Sequence, residues 1–268
     1  MLGSDRKSSG RGEMVVVGLA LGLMAGAVLA FVLAPWPFLD KLWAIGFAVC
    51  PQRPAHSVFI ASTQLPIEAR KVGLYLGFLS TMAYLLLLRR GRANQLPPRH
   101  IVATLVGCVA LMGIDGFNAL LHDMMWPHFY APSNDLRLAT GLLGGMALAI
   151  LTLPVLNVSL WHEGKAEPLL MGWRQMTPAA ALQAALFGTV ASGAPFTLYP
   201  LATLCIVGVV GVLVFTNTLL LVGIIHWPGP VASVWGLLPV VAVAWLLSGL
   251  ELAAMAVFRL TMVGVAPL

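Results

Sequence analysis

Apolar runs, most of them about 18 residues or longer, recur along almost the whole of this chain, each long enough to cross roughly 30 Å of hydrocarbon as a helix. Inside a bilayer every backbone polar group must be satisfied within the protein, so helices and closed barrels are the available solutions. Barrel strands alternate in polarity and are about half as long as these runs. The sequence therefore predicts an all-α, polytopic transmembrane helix bundle of about seven spans, plus one interfacial amphipathic helix. The expected spans are Met14–Ala34, Val72–Leu88, His100–Leu121, Leu136–Leu156, a short one at Ala179–Gly193, Leu198–Ile225 and Val231–Phe258, the last kinked at Pro239. The first run is too long for a signal-peptide core and has no clear small-residue cleavage site, so it reads as a retained span. Phe38–Val49 carries Asp40 and Lys41 with Trp36 and Trp43 near its start, the composition of a helix lying at the headgroups.

The chain thus reads as one integral membrane domain, residues 1–268. It has a cytoplasmic tail over 1–13 and an outer interfacial helix with a polar link over 35–71. Small-residue stripes at Gly18, Gly22 and Gly26, and at Gly141, Gly144 and Gly145, suit close helix–helix contact. No internal repeat is evident.

With 59% hydrophobic and only 9% charged residues, the position of each charge carries information. Arg6, Lys7 and Arg11, with Arg89, Arg90, Arg92 and Arg99, place the N-terminus and the link after the second span in the cytoplasm. Alternation then leaves the C-terminus extracytoplasmic, in a plasma membrane. Those seven basic residues, with Lys165 and Arg174, face four acids (Asp5, Glu13, Glu163, Glu167) on the inner side, a net +5. The outer side holds Lys41, Arg53, Arg70, Lys71, Arg137 and Arg259 against Asp40, Glu68, Asp115, Asp123, Asp135 and Glu251, a net of zero. The formal charge of +5 is therefore a topology signal and does not point to nucleic acid.

Basic residues on the outer side need a reason. Either they form ion pairs that tie helix ends together, or they line a polar pocket for an anionic ligand. Arg53, Arg70, Tyr75, Asp115, Asn118, Asn134, Arg137 and Glu251 make up the candidate cluster, either ligand-binding or structural. Asp115 lies within an apolar run and is costly to leave unpaired, so Arg137 or Arg70 is its expected partner. Ser133 or Asn134 is placed to cap the helix that follows, and Asp135 suits its positive end. Arg137 is opposed by the same dipole; it either snorkels to headgroups or serves another purpose.

His56, His122 and His128 lie on the same side beside Asp123, without the spacing of a metal-ligand motif, and no metal or other cofactor is assigned. Cys108 and Cys205 sit in apolar runs as small buried hydrophobes, and the three cysteines show neither disulfide nor zinc spacing. Asn217 is expected to hydrogen-bond to a neighbouring helix within the membrane. No nucleophile elbow, phosphate loop or haem-attachment motif is present, so no catalytic residue is assigned.

The run Cys50-Pro51-Gln52-Arg53-Pro54-Ala55-His56-Ser57, followed by Pro66-Ile67-Glu68-Ala69-Arg70-Lys71-Val72-Gly73-Leu74-Tyr75-Leu76-Gly77, resembles an uncharacterised family of prokaryotic membrane proteins, domain of unknown function 2085. Asp115-Gly116, Tyr130, Asn134, Arg137, Thr140 and Gly141 continue the resemblance, which covers a family-like core over 50–145 and leaves the C-terminal spans of 146–268 outside it. The chain looks like a divergent member: Pro51 stands where the family has His, and Glu68 and Lys71 stand where it has two of its three motif cysteines. Metal or disulfide chemistry resting on those groups would be lost, and an ion pair between Glu68 and Lys71 could take its place. The resemblance implies no known activity.

Two functions follow as expectations. The first is a non-catalytic subunit or assembly partner of a larger membrane complex, embedded in the lipid bilayer beside protein partners. The alternative is a binding or transport protein whose outer Arg/Asp/Asn pocket takes an anionic lipid headgroup or a small anion. A membrane enzyme using Asp115 or Glu251 as base has the least support, since neither comes with a nucleophile or a metal.

Overall fold

The computed structural model describes residues 5–226 and 230–263. Eight α-helices dominate: α1 (Asp5–Leu33), α2 (Phe38–Val49), α3 (Ala69–Leu87), α4 (Arg99–Asp123), α5 (Asn134–Leu160), α6 (Trp173–Ala191), α7 (Leu198–Gly223) and α8 (Leu238–Val263). Two small sheets supplement them, an antiparallel hairpin of β1 (Ser57–Ile60) and β2 (Thr63–Glu68), and a parallel pair of β3 (Ala93–Gln95) and β4 (Lys165–Pro168). Among the described residues, four segments are long and apolar enough to cross a membrane: Arg99–Asp123, Asn134–Leu160, Pro195–Gly223 and Val234–Met262. Leu21–Leu33 is a shorter apolar stretch within α1. The helices α3 and α6 have 19 residues each and carry Arg70 and Lys71, or Arg174 and Gln175, near their starts, which dilutes their apolar character.

The bundle is organised around α5. Two-thirds of its apolar window (67%) is buried, against 22% for α4 and for α8, so α5 is central and those two are peripheral. Its closest neighbour is α3, and glycines set the distance. A Cβ on Gly73 or Gly77 would collide with the backbone of α5 at Leu138 or Leu142. One on Gly141 or Gly145 would collide with the backbone of α3 at Arg70 or Leu74. Two i, i+4 glycine pairs thus face one another and let the backbones touch. The expected stripe on α5 is part of this contact, with Gly144 against Met112 of α4. The stripe on α1 is not: among the described residues nothing lies within 4 Å of a Cβ at Gly18, Gly22 or Gly26.

Three apolar clusters fill the bundle. One gathers the hairpin (Ile60, Leu65, Ile67), Leu42 of α2 and the adjoining ends of α3, α5, α6 and α7. The second holds the opposite ends of α3, α4 and α5 with Leu169 and Leu170, and the third joins α5, α7 and α8 near Trp161 and Val231. The helices alternate in direction, so the α3 and α5 N-termini and the α4 C-terminus share one end of the bundle with the hairpin.

Several boundaries differ from expectation. The polar link is a folded hairpin, and α3 starts at Ala69 rather than Val72. Helix α6 starts at Trp173 and runs through Pro178. Pro239 is not a mid-helix kink, because α8 begins at Leu238 and Pro239 lies in its first turn, where a missing N–H costs no hydrogen bond. The expected tail over 1–13 begins outside the described residues and from Asp5 is continuous with α1; the C-terminal residues 264–268 also lie outside them. Helix α2 occupies its expected range, and its last carbonyls are capped by cations. Lys71 Nζ donates to Val49 O, and Arg259 Nη1 donates to Phe47 O at 3.0 Å.

Candidate functional site

The hairpin is what gathers the polar residues. Gln52, buried, donates from Nε2 to Trp43 O at 2.9 Å and to Pro66 O at 2.8 Å, clamping α2 to β2. Cys50 Sγ, also buried, accepts from Glu68 N at 3.2 Å. Held this way, β2 delivers Glu68 and then Arg70 at the start of α3, facing the end of α4.

Asp115 of α4 is the most enclosed charged member of the cluster. Its Oδ2 accepts from Arg70 Nη2 at 2.5 Å and from Thr140 Oγ1 at 3.4 Å, and its Oδ1 accepts from the Tyr130 hydroxyl at 2.9 Å. Of the two candidate partners, Arg70 is the one that pairs with it. Burial, and then the bond to the Asp115 carboxylate, push the Tyr130 hydroxyl pKa above its ordinary value. One turn further along α4, Asn118 pins the same loop. Its Oδ1 accepts from Phe129 N at 2.8 Å, and its Nδ2 donates to Tyr130 O at 2.9 Å.

Arg53 bridges two acids. Its Nε lies 3.0 Å from Glu68 Oε1 and its Nη1 lies 2.9 Å from Asp123 Oδ2. Burial opposes its charge, but Glu68 and then Asp123 outweigh that cost and hold its pKa above the ordinary value. His56 Nε2 reaches Asp123 Oδ1 at 3.3 Å. Glu68 is therefore taken by Arg53 while Lys71 turns to the end of α2, and the expected Glu68–Lys71 pair does not form.

Arg137 is different. It lies one turn into α5, only 5% exposed, so it does not snorkel to the surface. Its side chain donates from Nη1 to Asn134 Oδ1 at 2.8 Å, and among the described residues no carboxylate comes within 4.0 Å of it. Asn134 in turn donates to Ala55 O at 3.2 Å and Ser57 O at 3.1 Å, fixing Arg137 to the hairpin. The cap falls to Ser133, whose Oγ accepts from Leu136 N at 3.2 Å.

Together these side chains enclose a cavity of about 200 Å³ lined by Arg53, His56, Glu68, Arg70, Asp123 and Arg137, with Gly116, Ala119 and Leu120 closing the α4 side. Three guanidiniums (Arg53, Arg70, Arg137) and three carboxylates (Glu68, Asp115, Asp123) balance formally, but unevenly. Arg53 engages two of the acids and Arg70 the third, and Arg137 engages none. Arg70 Nε is buried without a hydrogen-bond partner among the described residues. Chemically, this is a wall with unspent guanidinium donors.

Two candidate residues lie elsewhere. Tyr75 sits on the face of α3 turned to α7, against Gly208. Glu251 of α8 accepts from Asn217 Nδ2 of α7 at 3.0 Å. Asn217 also bonds Ser248 Oγ at 3.0 Å, the interhelical contact expected of it. Tyr130 and Thr140 were not assigned to the cluster from the residues alone, and their bonds to Asp115 depend on how the α4–α5 loop folds. Among the described residues, no group of three or more His, Cys, Asp or Glu is arranged to hold a metal ion.

A helical bundle in which four segments are long and apolar enough to cross a membrane, with a polar cavity at one end, fits an integral membrane protein. Residues 50–151, less than half of the chain, match a family whose description is predicted membrane protein (DUF2085). The matched segment runs from Cys50 through the hairpin and α3 to α5, and so contains every residue that lines the cavity. No curated protein and no solved structure matches the chain.

Proposed function

We propose that this protein is a membrane binding or transport protein whose cavity takes a phosphate-like anion, either free or as a lipid headgroup. One observation carries the reading. Among the described residues, Arg137 is a buried guanidinium with no carboxylate within 4.0 Å, facing a cavity it shares with Arg53 and Arg70. A buried cation without a counter-ion is costly, and an anion at that point supplies both the missing charge and a bidentate acceptor. The reading takes the chain as seven spans in the plasma membrane, with the N-terminus cytoplasmic. The Arg89–Arg99 cluster, at the end of the bundle away from the cavity, supports this orientation, in which the cavity would be extracytoplasmic.

The test uses the full chain in nanodiscs. Inorganic phosphate and sulfate added to zwitterionic discs, and phosphatidylglycerol in place of phosphatidylcholine, are compared by thermal shift and calorimetry. Wild type gains stability with the anion, and Arg137→Gln loses that gain. Response to phosphate alone identifies a free anion; response to phosphatidylglycerol alone identifies a headgroup. Equal responses from Arg137→Gln and wild type overturn the proposal.

A second reading, a non-catalytic subunit of a larger membrane complex, is favoured by a different observation. Glu251 is exposed on the outside of α8, within an apolar membrane-crossing segment. Purification in mild detergent tests it, a stoichiometric set of membrane partners being the expected result.

A further inference from the structure

The segment Val234–Met262 has 29 residues, and about 20 residues of helix fill the hydrocarbon of a bilayer. Whichever stretch of that length is immersed, Glu251 falls inside it. Its side chain is nevertheless on the outer surface of the bundle, beside Leu250, Val257 and Phe258, all more than half exposed. Its Oε2 accepts from Asn217 Nδ2 at 3.0 Å, and among the described residues no Lys, Arg or His comes within 4.0 Å. Asn217 is buried and holds the carboxylate from behind, while also bonding Ser248 Oγ, so the exposed side of Glu251 faces outward. Apolar side chains at this surface suit lipid. A carboxylate does not, and an ionisable residue inside a span normally finds a partner.

We infer that the face of α8 around Glu251 docks a transmembrane helix of a different protein, one that carries a Lys, Arg or His at the same depth. The inference rests on the subunit reading and names the partner's chemistry. Charge complementarity decides the occupant. A second copy of this chain, inserted with the same orientation, would bring another Glu251 to the same depth and no cation. Its Arg259 lies about 12 Å further along the helix and is already bonded to Phe47 O and stacked on the Phe47 ring. One turn along the same face, Ala254 is exposed and small enough for a partner backbone to come close.

The full-length protein in phosphatidylcholine vesicles is titrated with two labelled synthetic transmembrane peptides, one poly-leucine and one identical except for a central lysine, with energy transfer as the readout. The lysine peptide binds wild type at least tenfold more tightly than it binds Glu251→Gln, and the leucine peptide does not distinguish the two. Equal binding of the lysine peptide to both proteins, no binding to either, or efficient self-crosslinking of Ala254→Cys each overturns the assignment. Failure here is separable from failure of the subunit reading. Native partners that co-purify equally with wild type and Glu251→Gln keep the protein a subunit while removing Glu251 from the contact.

Discussion

Arg70 Nη2 lies 2.5 Å from Asp115 Oδ2, joining the first turn of α3 to the last third of α4, with Asp115 2% and Arg70 28% exposed. Asp115 also collects the Tyr130 hydroxyl and the Thr140 hydroxyl, so three elements depend on one carboxylate. Removing one partner of a buried pair costs about 3–5 kcal/mol, because the other is left uncompensated. Asp115→Ala is expected at the lower end of that range, since Arg70 keeps some access to water. The thermal midpoint in mild detergent falls accordingly, and the double variant Asp115→Leu/Arg70→Met recovers part of the loss. A single variant as stable as wild type would show that the pair holds nothing together.

Arg137 predicts the opposite outcome for the same residue type. It lies 5% exposed and bonds an amide rather than a carboxylate. Its desolvation is therefore not repaid by an ion pair, and replacing such a charge by a neutral group of similar length is close to neutral or stabilising. Without added anion, Arg137→Gln keeps or raises the thermal midpoint, whereas Arg70→Gln lowers it, at a cost of about 2 kcal/mol or more in stability. Equal losses from the two would make Arg137 an ordinary structural cation.

The two glycine stripes separate in the same way. A methyl at Gly145 would run into the carbonyl of Leu74, and one at Gly141 into that of Arg70, whereas one at Gly22 meets nothing within 4 Å. Gly145→Ala forces α3 and α5 apart and is expected to cost at least the 1–3 kcal/mol typical of overpacking, roughly. Gly22→Ala, on an exposed helix surface, gains up to about 1 kcal/mol of helix propensity. Comparing the midpoints of the two variants checks both statements.

Much of the architecture was legible because hydrocarbon imposes a single length and polarity on whatever crosses it. The extent of α2 could be read to the residue, since Pro37 and Cys50-Pro51 bracket it. The hairpin could not. Its two-residue turn, Ala61-Ser62, takes positive φ at both positions (48° and 68°) without the Asn or Gly that normally announces such a turn. The convergence of Arg53, Arg70, Asp115, Asn134 and Arg137 at one end of the bundle followed from counting alternate spans. What that counting could not supply was the azimuth of each side chain. Tyr75 lies at the right depth on the wrong face of α3, and Glu251 belongs to a helix remote from the cavity. The glycines at 73 and 77 were visible as part of a resemblance, and only the facing pair on α5 shows why small residues are needed there.

His56 gives the cavity a pH dependence whose sign is fixed. Burial, then the charge of Arg137 and of Arg53, lower its pKa from the ordinary 6.5, while Asp123 and Glu68 act in the other direction. Arg70 of α3, His122 of α4 and His128 of the α4–α5 loop complete the titratable and charged groups around it. In the unliganded protein the imidazole is therefore neutral at pH 7. An anion bound beside Arg137 leaves the formally balanced wall with excess negative charge and raises the His56 pKa, so binding draws in a proton. By linkage, affinity for inorganic phosphate or sulfate then rises as pH falls through the His56 pKa of the liganded protein. It levels off below that of the unliganded protein, which lies under the ordinary value. Sulfate is the cleaner probe, because its own charge does not change over that range. In His56→Gln the slope between pH 7.5 and pH 5.5 is expected to flatten, with affinity at pH 7.5 nearly unchanged because the wild-type imidazole carries no charge there. Isothermal titration in two buffers of different ionisation enthalpy measures the proton uptake directly. Zero uptake by wild type at pH 6 would remove His56 from the binding event.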